Sequence, residues 1–190
     1  MDEQTAIRRL KHGDIDGLGD LVRHYEVQAV RAAYLITHDR ALAEDVVQTT
    51  FLRIYQHIHQ YDEQRPFAPW LMRSVINAAI LAAQRQQRDV SLDNAGDVTW
   101  ADLLPDSAPG PENQMEQAEL REAVWQALDR LSPEQRAAVV LRYFLEMSDD
   151  EMSGQLDISA STVRWRLHTA RKQLRVLLRR WWDKPHWQEG

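Results

Sequence analysis

The run Ser148-Asp-Asp-Glu-Met-Ser-Gly-Gln-Leu-Asp-Ile-Ser159 continues as Ala160-Ser-Thr-Val-Arg-Trp-Arg-Leu-His-Thr-Ala-Arg-Lys-Gln-Leu-Arg-Val-Leu-Leu-Arg-Arg-Trp-Trp182. Its reading decides the fold. Ser148 with Glu151 is a capping box, in which hydroxyl and carboxylate each satisfy an orphan amide of a first helical turn. It opens a short helix with Met152 and Leu156 inside. Asp157-Ile158-Ser159 reads as a tight turn, and Asp157 tolerates the left-handed backbone such turns use. Ser159 or Ser161 then caps a long helix running to about Trp182. A short helix, a tight turn and a longer basic helix make a helix-turn-helix.

That last helix has two faces. Val163, Leu167, Ala170, Leu174 and Leu177 recur at spacings of four, three, four and three, which predicts a buried stripe. At 100° per residue the opposite face holds Trp165, His168, Thr169, Lys172, Arg175 and Arg179, with Arg164 and Arg171 at its edge. Such a face suits the major groove. Arg164 and Trp165 would reach base edges, Trp165 touching a thymine methyl, while Lys172, Arg175 and Arg179 would meet phosphates. A solvated basic face is the plain alternative, and Trp165 packed on a neighbouring helix or a partner is another.

Upstream, Ser132-Pro133-Glu134-Gln135 is a second helix start, with the cap at Ser132, proline at the first helical position and Gln135 completing the box. Its helix carries Val139, Val140, Tyr143 and Phe144. Before it, helix resumes around 111–117, with Leu120, Val124 and Leu128 as its apolar stripe. Residues 89–115 lose all periodicity and gather Asp, Ser, Asn, Gly and Pro, the composition of a linker. Residues 1–88 read as helical. Asp39 or a neighbour caps a helix whose Ala43, Val47, Phe51, Ile54 and Ile58 share one face. Tyr61-Asp-Glu-Gln-Arg-Pro66 is a turn, because proline disfavours helix in the residue before it. A second long helix runs from about Pro69 towards Arg88. Nowhere does an alternating apolar/polar run suggest a strand. The expected class is all-α, with helical domains at 1–88 and 116–190 joined by an acidic flexible linker at 89–115.

Composition narrows the function. The chain has 190 residues, 44% hydrophobic and 27% charged, and no cysteine. Disulfide scaffolds, thiol nucleophiles and cysteine-bound zinc or iron–sulfur centres are thereby excluded. No signal peptide opens it and no run reaches the ~18 apolar residues of a membrane span, so a soluble, cytoplasmic protein without membrane insertion is expected. The net charge of −6 argues against nucleic acid, but its distribution reverses that reading. Residues 89–120 hold eight acidic and no basic residues, whereas 159–182 hold seven basic and no acidic ones. No phosphate-binding loop, HExxH pair or nucleophile elbow is present, so neither an enzyme nor a cofactor is expected. His57 and His59, two apart, would point to different sides of a helix and make a poor metal pair.

Leu131-Ser-Pro-Glu-Gln-Arg-Ala-Ala-Val-Val-Leu-Arg-Tyr143, Met147-Ser-Asp-Asp-Glu-Met152 and Ser161-Thr-Val-Arg-Trp-Arg-Leu-His168 resemble region four of the extracytoplasmic-function (ECF) sigma factors. Ala43-Glu-Asp-Val-Val-Gln-Thr-Thr-Phe-Leu-Arg53 and Arg65-Pro-Phe-Ala-Pro-Trp-Leu-Met-Arg73 resemble region two, and Gly13-Asp14 with Leu21 and Tyr25 fits its opening. The resemblance implies a dissociable subunit of bacterial RNA polymerase that selects promoters. Region two would bind the core polymerase and open the −10 element; region four would read the −35 element as duplex, using Arg164, Trp165, His168, Thr169, Lys172 and Arg175. The family's polymerase contacts fall on Asp45, Gln48, Thr49 and Leu52, which lie away from the Val47/Phe51 face. Its capture of unstacked −10 bases falls on Tyr61, Arg65, Phe67, Trp70, Arg73 and Asn77. Aromatic platforms and cations suit single strands, because every base has a stackable face. Taken alone, Phe67 and Trp70 read as core residues more readily than as platforms. An anti-sigma factor is a usual partner in the family.

The sequence departs from the pattern in places. Ile76 stands where an Arg usually precedes Asn77, Leu81 replaces an Asp, and Ala82, Ala83 and Gln84 follow in place of basic residues. Arg73, Arg85 and Arg88 alone keep this helix cationic. Phosphate neutralisation dominates affinity for nucleic acid, so promoter opening is expected to be weak or to depend unusually on polymerase. Thr49 stands where Glu is common, Thr169 where an Arg often reaches DNA, and Trp165 replaces a small residue. Two rival readings follow: a stand-alone helix-turn-helix regulator, and a sigma-like adaptor defective in promoter opening. The acidic linker is expected either to imitate nucleic acid within polymerase or to be a passive tether. Trp181, Trp182 and Trp187 are expected to cover the last helix, with docking on a partner as the alternative.

Overall fold

A computed structural model describes residues 2–89 and 111–182. All their regular structure is helical, with no strand among the described residues. The chain divides into two compact units, one built from 2–89 and the other from most of 111–182.

The first unit holds four helices: α1 (Glu3–Lys11), α2 (Asp16–Thr37), α3 (Arg40–His57) and α4 (Phe67–Asp89), with a 3₁₀ turn at Ile58–Gln60. The α2 helix packs against the other three. Small residues make that possible: Ala29, Ala32 and Ala33 are fully buried on its inner side. Gly17 is the extreme case, because a Cβ there would lie 2.5 Å from the Ala6 carbonyl oxygen and 2.9 Å from the Leu10 nitrogen. Main chain meets main chain, and no side chain fits. Asp39 caps α3 as the sequence suggests, accepting from the Leu42 amide at 2.9 Å. Ala43, Val47, Phe51, Ile54 and Ile58 are all buried. The α4 helix begins at Phe67, two residues before the expected Pro69. Proline is tolerated there because first-turn amides have no partner inside the helix.

The second unit holds α5 (Pro111–Asp129), α6 (Pro133–Val139), α7 (Asp149–Leu156), α8 (Ala160–Leu177) and α9 (Arg179–Trp182). Both capping boxes form. Ser132 accepts from the Gln135 amide at 3.3 Å while the Gln135 side chain accepts from the Ser132 amide at 2.9 Å. Ser148 and Glu151 do the same at 3.3 and 2.7 Å. Those bonds hold the Glu151 carboxyl below its ordinary range, the Ser148 hydroxyl contributing most. Beyond Val139 the helix widens into a π-turn over Val140–Phe144, which leaves Tyr143 and Phe144 exposed. Asp157 takes the left-handed conformation, φ 55°, and Ser159 caps α8 through the Thr162 amide at 3.2 Å. Met152, Val163, Leu167 and Ala170 form the core with Leu131, Ala137, Ala138 and Leu141.

Two expectations need correction. The last helix does not run unbroken to Trp182: α8 ends at Leu177, and α9 follows after Leu178. Nor is the apolar stripe buried to its end, since Leu174 is half-buried and Leu177 is 47% exposed. The period fixes a face, but a neighbour must still reach it, and among the described residues none buries Leu177. Trp181 is buried, as expected for a cover on the helix end. The side chains of Trp182 and Trp187, and the linker residues 90–110, lie outside the described residues.

Candidate nucleic-acid interface

On α8, capping at Ser159 and burial of Val163, Leu167 and Ala170 fix the rotation of the helix. The same rotation turns Arg164, Trp165, His168, Lys172 and Arg175 outward, all exposed, with Thr169 half-buried between them. Trp165 is 63% exposed, so its ring is not packed on a neighbouring helix. Arg171, at the edge, is engaged elsewhere: its Nε donates to the Tyr143 hydroxyl at 2.9 Å and its guanidinium lies over that ring at 5.9 Å. The π-turn presents Tyr143 for this contact, a link the sequence did not reveal.

On α3, Asp45, Gln48, Thr49 and Leu52 are exposed on one face, and Leu52 is 57% open to solvent. They lie opposite the buried stripe, as the period requires.

At the 61–65 turn and the start of α4 the picture divides. Tyr61 and Phe67 are buried at 3% and 0% exposure, within an aromatic cluster with Tyr25 and Trp70. Tyr61 and Phe67 meet edge to face with centroids 5.4 Å apart, and Phe67 lies 5.7 Å from Trp70. Burial raises the Tyr61 phenol above its ordinary pKa, and its hydroxyl donates to the Arg65 carbonyl. These two rings are therefore core supports, and the expectation that they are open platforms is corrected. Aromatic type alone does not tell a packed ring from a presented one. Arg65 and Arg73 are exposed, while Trp70 and Asn77 are half-buried.

Trp70 and Asn77 line a groove of about 320 Å³ between α3 and α4. Its opposite wall brings in Arg53 and His57, which the sequence reading did not assign to this site. Position 53 lies one turn past Thr49 at the margin of the exposed set on α3, so a period-based reading leaves it unassigned. The departures in α4 also sort themselves. Ile76 and Ala83 are buried core residues, so their apolar identity belongs to packing; Leu81 is 54% exposed and lines the groove.

An underlying brace comes from α1. Lys11 Nζ donates to the Tyr61 carbonyl at 2.9 Å and pairs with Glu63 at 2.7 Å, lying 5.7 Å from the Tyr61 ring centroid. The Tyr25 hydroxyl donates to Glu3 of the same helix. Among the described residues no group of three or more His, Asp or Glu side chains could hold a metal ion, and no helix is long and apolar enough to cross a membrane.

Comparison with known proteins agrees with this division. Residues 21–89 match sigma-70 region 2, and residues 121–174 match sigma-70 region 4. The chain is 30% identical over 181 residues to the ECF RNA polymerase sigma factor SigW of Bacillus subtilis, covering 93% of this chain and 96% of that one. It is 31% identical over 176 residues to the RNA polymerase sigma factor NccH of Alcaligenes xylosoxydans xylosoxydans, covering 93% and 94%. Among solved structures, CnrH in complex with the cytosolic domain of CnrY shares the fold at TM-score 0.63 and 24% identity, with 96% of this chain and 99% of that one covered. Helical units of two sigma-70 regions in order, with an exposed basic helix in the second, are thus accompanied by full-length relatives: the chain belongs to the ECF sigma factors, transcription initiation factors of the sigma-70 family rather than enzymes.

Proposed function

We propose that the chain docks on bacterial core RNA polymerase through Asp45, Gln48, Thr49 and Leu52, reads the −35 element with α8, and captures opened −10 bases beside Trp70. Its place of action is the cytoplasm, where polymerase and chromosome meet. The observation that carries this reading is the outward row Arg164, Trp165, His168 and Lys172 on a helix whose rotation is fixed by a cap and a buried stripe. Arg164 and Trp165 sit near the helix N-terminus, where recognition helices meet base edges; Lys172 and Arg175 lie further along, placed for phosphate. Arg65, Arg73 and Asn77 flank Trp70 for the single strand. Trp165 supplies a broad apolar edge for a thymine methyl or the sugar backbone.

An anti-sigma partner belongs to the same reading. A structural neighbour, the sigma factor RpoE of Bartonella quintana (TM-score 0.61, 18% identity, covering 84% of this chain and 97% of that one), was crystallised with the anti-sigma factor NepR.

Run-off transcription with core polymerase, beside a shift assay on the same DNA without polymerase, tests the function. Transcripts that need both chain and core are expected; tight specific binding without polymerase would instead favour a stand-alone regulator. The −35 assignment is tested by promoter-library selection. Trp165→Ser should change the preferred −35 sequence, losing discrimination of about 1–3 kcal/mol at one position. Lys172→Ala should weaken all sequences alike. An unchanged preference in a folded Trp165→Ser protein refutes direct readout.

A further inference from the structure

The last turn of α8 leaves apolar surface in water: Val176 is 71% exposed and Leu177 47%. With Arg130, Thr169, Lys172 and Gln173 they line a groove of about 620 Å³ between α8 and the end of α5. Two of the six lining residues are cations and none is acidic. Among the described residues, neither Arg130 nor Lys172 makes a hydrogen bond or ion pair with the protein. A ligand that satisfies this groove has an apolar body and carboxylates at its edge.

The chain itself carries such a segment. Residues 183–190, Asp-Lys-Pro-His-Trp-Gln-Glu-Gly, set Trp187 between Asp183 and Glu189, two carboxylates against one lysine. The backbone already doubles back just before them. After α8 ends at Leu177, Trp181 is buried, and Arg180 pairs with Glu119 of α5 at 3.8 Å. Reach is sufficient. Leu177 and Trp182 are five residues apart, as are Trp182 and Trp187, and five residues span at most ~18 Å. The indole can therefore return to Leu177 from wherever α9 ends. An indole buries about 150–250 Å² of surface, and so short a tether holds it at a local concentration in the millimolar range.

We infer that residues 183–190 seat Trp187 in this groove against Val176 and Leu177, with their carboxylates toward Arg130 and Lys172, and that the seated tail competes with DNA for Lys172. The competition rests on the reading that Lys172 meets phosphate; the seat does not.

NMR of the full chain tests the seat. Nuclear Overhauser contacts are expected between the Trp187 indole protons and the methyl groups of Val176 and Leu177. Val176→Ser, a change at an exposed site, should move the Trp187 indole resonance towards its position in a free peptide of residues 183–190, while the amide spectrum shows the fold intact. Absence of the contacts, or an indole resonance indifferent to Val176→Ser, overturns the seat. Contacts that appear between copies in a mixture of differently labelled chains give the groove to a second molecule, and also overturn it. The competition is read by titrating a −35 duplex into the chain and following the same spectra. Trp187→Ala keeps every charge of the tail, so its repulsion of DNA is unchanged. It should tighten duplex binding about two- to tenfold, as for a surface open between one-half and one-tenth of the time. Unchanged affinity, when Lys172→Ala does weaken binding, overturns the competition. If Lys172→Ala weakens nothing, the phosphate reading of Lys172 falls instead, and the indole contacts alone decide the seat.

Discussion

Asp157 holds a left-handed backbone at the turn between α7 and α8. A side chain there carries a steric cost of about 1–2 kcal/mol that glycine escapes. Aspartate bears it better than most residues, because its short polar side chain can bond locally. Asp157→Ala should therefore destabilise the second unit by about 1 kcal/mol, whereas Asp157→Gly should be neutral or stabilising; thermal melting of the two variants checks the order. The cost is local, yet the left-handed residue that bears it sits at the turn from which α8 departs. Residue chemistry of this kind was legible without coordinates, since an aspartate in a tight turn and a serine before a helix act within a few bonds of themselves. Tyr61 and Phe67 were not legible in the same way. Whether a ring packs or is presented depends on Tyr25, some 40 residues away, and no local rule supplies that neighbour.

The α3 helix shows how far a period carries at the scale of an element. Its five spaced apolar residues predicted both the buried stripe and, by subtraction, the exposed face of Asp45, Gln48, Thr49 and Leu52. Leu52→Asp should alter stability by no more than about 0.5 kcal/mol, as expected for an exposed site. It should weaken binding to core polymerase at least about tenfold, as loss of an apolar anchor does. Undiminished capture of core by the folded variant would remove Leu52 from the contact. The period could not show where α8 ends, because burial of Leu177 needs a partner helix as well as a face. Nor could it show the brace from α1. Lys11 joins elements about 50 residues apart through one carbonyl and one carboxylate. Lys11→Ala should speed amide exchange in residues 61–65 several-fold, consistent with losing a bond and an ion pair worth about 1–2 kcal/mol together. Exchange in α2 should stay unchanged. Equal protection of the turn in both proteins would reduce the brace to a surface contact.

Across the whole molecule, charge is sorted by segment. The eight carboxylates of residues 89–120 fall in a stretch that contains no basic residue. Replacing Asp97, Asp102 and Asp106 by Asn should shift the ratio of abortive to full-length RNA while promoter affinity changes little. Unchanged RNA yields would leave the segment a tether. This sorting explains why net charge was a poor guide and its distribution a good one: an acidic stretch and a basic helix offset each other in a sum but stay separate along the chain. The exposure of Trp165 has one more consequence, which is optical. Its indole sits in water on the very surface assigned to DNA, while Trp181 is shielded. Occupancy of that surface should be readable as a blue shift and a loss of acrylamide quenching in the native emission, without any attached dye. Subtracting the spectrum of Trp165→Phe isolates the signal of this one side chain, so the protein carries its own fluorophore where it is expected to meet the promoter.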